Sequence, residues 1–285
     1  MTSIRKVAII GGNRIPFVRS NTSYSHASNM DMLSATLQGL VNRFGLSGQR
    51  LGEVAAGAVM KHSRDFNLAR EATLNSGLSL QTPAYDVQQA CGTGLEAAIL
   101  VGNKIALGQI ECGIAAGTDT ASDAPIALNE KYRHMILSLN RAKTFGQRLG
   151  ALASIRPSFM LPLLPANAEP RTGLSMGQHC ELMVKHWDVS REDQDELTFK
   201  SHQNLMAAYE CGFFDDLIQP FKGVERDGIM RDTPLEKLAN LKPAYDPVNG
   251  TLTAANSTTL TDGAAAVLMG SEEWAQRNSL PVQAY

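Results

Sequence analysis

One stretch constrains the rest of the chain. Ala84-Tyr-Asp-Val87 is a short run that reads as a β-strand, Gln88 to Gly94 is a corner with two glycines, and Leu95 to Leu107 is a helical run stopped by Gly108. Apolar residues nearly encircle that run, which predicts a buried helix. Cys91 sits at the corner, ahead of the helix N-terminus, where unpaired amides and the helix dipole favour a thiolate over a thiol. The same amides can stabilise an oxyanion. Gly92 and Gly94 let backbone and ligand approach the sulfur, as acylation of a cysteine requires. Free cysteine is also among the most buried residue types, so from these residues alone a purely structural thiol stays open.

Around this corner, strands and helices alternate. Lys6 to Gly11 is a β-branched strand, and Met32, Leu33, Leu37, Leu40, Val41 and Phe44 fall at helical spacing before Gly45. Glu53 to Met60 reads as a strand, Asn67 to Ser76 as a helix, and Cys112 to Gly117 as a strand in which Cys112 packs in the core. The pattern predicts an α/β fold with a mostly parallel sheet and helices on both faces, with its site at the carboxyl ends of the strands, where Cys91 lies. Gly11-Gly12-Asn13 lacks the further glycine and later acidic residue of a dinucleotide fingerprint, so a nicotinamide cofactor is not expected. From Asp119 to about Asp246 the alternation gives way to proline, charge and longer connections. The expected division is residues 1–120, an excursion over 121–248, and a new start over 249–285.

Charge and cysteine usage narrow the partners. A formal net charge of -2 over 285 residues gives no global attraction to nucleic acid, and no run is apolar for the length a membrane span needs. Four cysteines without C-x-x-C spacing argue against a disulfide framework or a zinc site. With Met1 to Ile10 entering a strand at once, a cytoplasmic location is expected. His179 and His186 stand seven residues apart, two helical turns, which is too far for joint ligation, so no metal is expected. Ser175 with Gln178 and Ser190 with Asp193 fit capping boxes. Between Asn129 and Arg156, six cations (Lys131, Arg133, Arg141, Lys143, Arg148, Arg156) face the single anion Glu130 and are interleaved with apolar residues. Such a basic amphipathic segment can bind phosphates, a partner subunit or a membrane surface, or be only a solvated helix face.

The run Cys91-Gly-Thr-Gly-Leu-Glu-Ala97 resembles the nucleophile segment of the thiolases. Met176-Gly177, Val189-Ser-Arg-Glu-Asp-Gln-Asp195 and Gly250-Thr-Leu-Thr-Ala-Ala-Asn-Ser-Thr-Thr-Leu-Thr-Asp-Gly-Ala-Ala-Ala266 follow in thiolase order and spacing, so the resemblance covers the whole chain. Leu137-Ser-Leu-Asn-Arg-Ala-Lys-Thr-Phe-Gly-Gln-Arg-Leu149 is most similar to the thiolase (beta) subunit of the fatty-acid oxidation multienzyme complex.

The resemblance implies a layered fold of two similar halves, here the first half with a loop domain and the opening of the second. It implies an acyltransferase that cleaves 3-ketoacyl-CoA, or runs the reverse condensation, through an acyl-Cys91 intermediate. Met176 is placed in the acyl-CoA pocket, and Arg231, Ala254, Asn256 and Thr258 at coenzyme A; Thr258 stands where the family commonly has serine. Coenzyme A is substrate, no resident cofactor is implied, and the partners are a second copy of the chain and a hydratase/dehydrogenase subunit. The family's Gly-His-Pro histidine, its second cysteine in Cys-x-Gly and its oxyanion-water motif do not occur in these residues. The 285-residue chain alone is therefore expected to be inactive, and a non-catalytic CoA-binding or scaffolding protein is the alternative.

Overall fold

The protein is described here by a computed structural model covering residues 4–285, so that Met1–Ser3, part of the N-terminal run considered above, lie outside the described residues. The chain forms two compact units, Met1–Asp123 together with Ser175–Tyr285, and Ala124–Leu174.

The larger unit is built on one sheet. Its strands are β1 (Val7–Arg14), β2 (Val18–Arg19), β3 (Glu53–Gly57), β4 (Ala84–Asp86), β5 (Cys112–Asp119) and β6 (Thr261–Ser271), in the order β1-β6-β5-β3-β4, with β2 paired to β6. β3 runs parallel to β4 and β5, as the helical crossovers between them require, whereas β6 is antiparallel to both β1 and β5. Residues 249–285, expected to open a further domain, thus supply β6 to the middle of this sheet.

Side-chain alternation sorts the core into two layers. Ile10, Val54, Ala56, Ile114, Ala116 and Leu268 point to one face, where they meet Leu33, Leu37 and Leu40 of α1 (Asn29–Arg43) and Leu68 and Ala72 of α2 (Leu68–Asn75). Ala55, Ala115 and Met269 point to the other, against Ala97, Val101 and Ile105 of α3 (Thr93–Ala106). Helices on both faces are as expected. The burial of α3 is not: Ala97, Val101 and Ile105, spaced by four, are fully buried, but Leu95 and Ile99 are 69% and 47% exposed. The sheet covers only one side of a helix, and no described element covers the other. Lys104 of α3 pairs with Glu53 of β3, a buried carboxylate that also accepts the Tyr85 hydroxyl at 3.0 Å.

The smaller unit contains α4 (Glu130–Arg141) and α5 (Phe145–Ala153), with an antiparallel bridge between Ala127 and Leu163. Among its described residues, Met135 is the one buried hydrophobic side chain.

The chain then returns to the larger unit as α6 (Met176–Trp187), α7 (Arg191–Glu210) and α8 (Leu235–Ala239), and after β6 ends near α9 (Glu272–Arg277). Ser175 and Gln178 form the expected reciprocal cap; Ser190 caps α7 through Asp193 N–H, but its hydroxyl also donates to the Asp193 carboxylate at 2.6 Å. A buried ion pair fastens the segment after α7 to β1. Arg14 donates two hydrogen bonds of 2.7 Å to Asp227, whose Oδ1 also accepts Phe17 N–H, while Phe17 and Phe214 flank the guanidinium. Burial opposes the Asp227 charge, but Arg14 and the Phe17 amide outweigh it and hold the carboxyl below its ordinary value.

Candidate active site

Cys91 is presented by a strained corner. Val87 leaves the sheet with its N–H on Ala56 O, and Ala90 adopts φ +45°, a left-handed conformation that costs a non-glycine residue about 1 kcal/mol or more. The Thr93 hydroxyl holds this turn from inside. It donates to Ala90 O at 2.7 Å and accepts Gln89 N–H at 2.9 Å, so both residues before the cysteine are pinned by one buried side chain. Thr93 reaches them because Gly57, at the end of β3, leaves room. A Cβ at Gly57 would lie 1.9 Å from Val87 O and 2.9 Å from Thr93 Cγ2.

The Cys91 pocket, about 220 Å³, is walled by Gly57 at the end of β3 and Val59 beyond it, Thr118 and Asp119 at the end of β5, Phe17, and Gly263 at the start of β6. This is the carboxyl end of the parallel strands, as the sequence predicts. Asp119 accepts Val59 N–H at 2.8 Å and Met60 N–H at 3.0 Å, and Gln88 donates to Val59 O at 3.3 Å, so the Val59 peptide is clamped between β5 and the Cys91 corner. Burial raises the Asp119 carboxyl above its ordinary value against the pull of the Met60 and Val59 amides. The described residues lining this pocket include no histidine and no second cysteine.

A second cavity, about 310 Å³, lies between α7 and the loop before β6. Leu197, Ser201 and His202 form one wall, and Arg231 with Ala255 to Thr259 forms the other. Of the residues singled out in the sequence, Arg231, Asn256 and Thr258 meet here, and Arg231 Nη1 donates to Ala254 O at 3.4 Å. Asn256 is occupied in shaping its own loop: its Oδ1 accepts Thr253 N–H at 2.6 Å, and its Nδ2 donates to Asp195 Oδ1 at 3.0 Å and to Thr251 O at 3.1 Å. Met176 stands 74% exposed at the start of α6 and lines neither cavity. Thr259 borders one cavity and Gly263 the other, so at most about 14 Å of extended chain separates them.

Three residues here were not expected. Thr93 holds Gln89 and Ala90, four and three residues before it, a local side-chain turn that the sequence reading passed over, whereas Asp119 acts through Val59 and Met60, about sixty residues away, for which no local pattern exists. His202 looked like an ordinary helix residue; burial and then the Arg231 charge hold it below its ordinary value.

The family of the thiolase N-terminal domain matches residues 7–273. The chain belongs to the thiolase family. It is 37% identical over 287 residues to a 3-ketoacyl-CoA thiolase of Pectobacterium carotovorum subsp. carotovorum (strain PC1), with 98% of the chain and 66% of that protein covered. It is 38% identical over 274 residues to a 3-ketoacyl-CoA thiolase of Shewanella baltica (strain OS155 / ATCC BAA-1091), with 94% and 63% covered. Its fold is similar to the crystal structure of the Bacillus anthracis acetyl-CoA acetyltransferase, with a TM-score of 0.81, 28% identity, and 99% and 69% of the two chains covered. The thiolase chain thus spans slightly less than two thirds of the length of these curated relatives.

Two outcomes follow for the thiolase corner. Cys91 and Cys211 are exposed and Cys112 is buried, with burial pushing its thiol up to about 11. Limited iodoacetamide followed by peptide mapping will label Cys91 before Cys112 and Cys180; prior labelling of Cys112 would contradict this packing. Thr93→Val keeps the shape but removes both hydroxyl contacts, and should slow Cys91 alkylation by about tenfold, the equivalent of one hydrogen bond, while Thr93→Ser restores it. Equal rates in all three proteins would deny Thr93 a positioning role.

Proposed function

We propose that this chain carries the nucleophile and the CoA-facing cleft of a thiolase-type acyltransferase acting on 3-ketoacyl-CoA. The observation that carries the reading is the strained Cys91 corner, in a pocket whose wall at Gly263 is joined by at most about 14 Å of chain to Thr259 in the cleft bearing Arg231. In the degradative direction the Cys91 thiolate attacks the 3-keto carbon, and the bond between carbons 2 and 3 breaks. The electron pair leaves with carbon 2 as the acetyl-CoA enolate, which takes up a proton. The acyl group remains as a thioester on Cys91 until a CoA thiolate attacks it, releasing shortened acyl-CoA and restoring the cysteine. Thr93 positions the nucleophile, and Arg231 meets the phosphates or nucleotide of CoA.

Names of the relatives favour this enzyme over a scaffold protein. Among the described residues no helix is long and apolar enough to cross a membrane. A cytoplasmic site of action, CoA as substrate with no resident cofactor, and assembly as a homo-oligomer with a hydratase/dehydrogenase partner belong to the same proposal. The exposed Leu95 and Ile99 of α3 support assembly.

Calorimetric titration with CoA tests the cleft. Arg231→Ala should weaken binding about tenfold, the scale of one charge-assisted hydrogen bond, and Thr258→Val by a smaller factor. Unchanged affinity in both variants would remove CoA from this cleft.

A further inference from the structure

The side of α7 that borders the second cavity carries Leu197, Thr198, Ser201, His202 and Leu205, the spacing of one helical stripe. Arg231 stands on the opposite wall. Among the described residues lining this cavity, His202 and Arg231 are the two whose side chains can carry charge near neutral pH, and in both cases that charge is positive. Neither is matched. Among the described residues His202 has no hydrogen-bond partner, and Arg231 has no carboxylate partner, only the contact of 3.4 Å to Ala254 O. The acids adjoining the lining residues are engaged elsewhere: Asp195 accepts Arg191 at 2.7 Å and Asn256 at 3.0 Å, Asp232 accepts Gln203 at 3.2 Å, and Glu196 pairs with Lys200 at 2.6 Å.

Two groups of one sign across a cavity repel each other until an anion enters between them. In the free protein burial and then the Arg231 charge hold the imidazole below its ordinary value, so it is neutral at neutral pH. A phosphate within hydrogen-bond reach reverses both the repulsion and the preference for the neutral ring, and the proton is drawn from solvent. We propose that His202 is a binding residue for the phosphates of CoA, which it meets as an imidazolium beside Arg231, so that CoA binding takes up a proton and tightens as pH falls. The inference rests on the reading that CoA occupies this cleft, and adds to it a residue and a pH response.

Calorimetric titration with CoA of the unaltered chain, Arg231→Ala, His202→Gln and His202→Asn tests it across the histidine range. The phosphomonoester of CoA itself titrates near about pH 6, so the quantity to read is the ratio of affinities of the unaltered chain and the His202 variants, in which the protonation of the ligand cancels. That ratio should stay within about threefold at about pH 8 and grow by about a further tenfold at about pH 5.5, the equivalent of one unit of pKa. Titration in two buffers of different ionisation heat should show more protons taken up by the unaltered chain than by His202→Gln. A misfolded variant would lose affinity at every pH and expose Cys112, buried in the folded protein, to alkylation; His202→Asn supplies a second neutral replacement. CoA binding that weakens in Arg231→Ala while the ratio for both His202 variants stays constant with pH would overturn this inference and leave CoA in the cleft. No CoA binding, or binding indifferent to Arg231→Ala, would remove CoA from the cleft and overturn both.

Discussion

The 285-residue chain will consume acetoacetyl-CoA at least about a thousandfold more slowly than the full-length Pectobacterium thiolase, while still accepting an acetyl group on Cys91. The described residues lining the Cys91 pocket offer neither an imidazole to take the thiol proton nor a second thiol to move a proton at carbon 2. General acid-base groups are each worth about a hundredfold to ten-thousandfold, and groups that act as a unit lose most of their effect when any is missing. Acylation needs only the thiol, the helix amides and a bound thioester, so it survives in slow form. Intact mass after incubation with acetyl-CoA should gain one acetyl group, absent in Cys91→Ala, and a thiolysis assay should register little loss of acetoacetyl-CoA. Turnover within tenfold of the full-length enzyme, abolished by Cys91→Ala, would mean that the reaction draws on residues assigned no part in it here.

Asp227→Ala will destabilise the larger unit by about 3–5 kcal/mol, because it leaves the Arg14 guanidinium buried without its partner. Replacing both members together, Arg14→Met with Asp227→Leu, should cost far less, since an apolar pair of similar volume avoids desolvating two ions. Urea denaturation of the three proteins separates the terms. The acid side of the stability curve carries a second signature. Asp227 has a folded pKa below its unfolded value, so its contribution is fully present above that unfolded value and is lost as pH falls through the folded one. The double variant should lack that part of the acid transition. A loss under about 1 kcal/mol in Asp227→Ala would mean that water replaces the lost partner.

Much of this was legible in the residues. Strand alternation and glycine stops located β3, β5, α1 and α2 closely, because their apolar spacing reports which side meets the core. The corner that carries Cys91 was legible because a strand, two glycines and a helix are contiguous in sequence. α3 was misjudged for the same local reason: apolar residues around a helix say that it resists water, not how many sides a neighbour covers. Arg231, Asn256 and Thr258 were placed by resemblance and meet in one cleft, but the work of Asn256 inside its own loop depends on Asp195, which no local pattern ties to it. Asp119 and the Arg14–Asp227 pair escaped notice because each depends on backbone or side chains brought near by the sheet, and Thr93 because its two bonds, though local, need the left-handed turn at Ala90 to form.

The position of β6 governs the order in which this molecule can assemble. Among the described strands, β1 is joined to the sheet only through β6, and β6 lies between β1 and β5 although it comes after all the others in sequence. A nascent chain can therefore pair β3, β4 and β5 early, while Val7–Arg14 waits with an unsatisfied edge until Thr261–Ser271 has left the ribosome. Closing a loop of that length before any pairing rewards it makes this step slow. During translation β1 is thus the segment most open to capture by chaperones or by other nascent chains, and that exposure ends when β6 is inserted between β1 and β5.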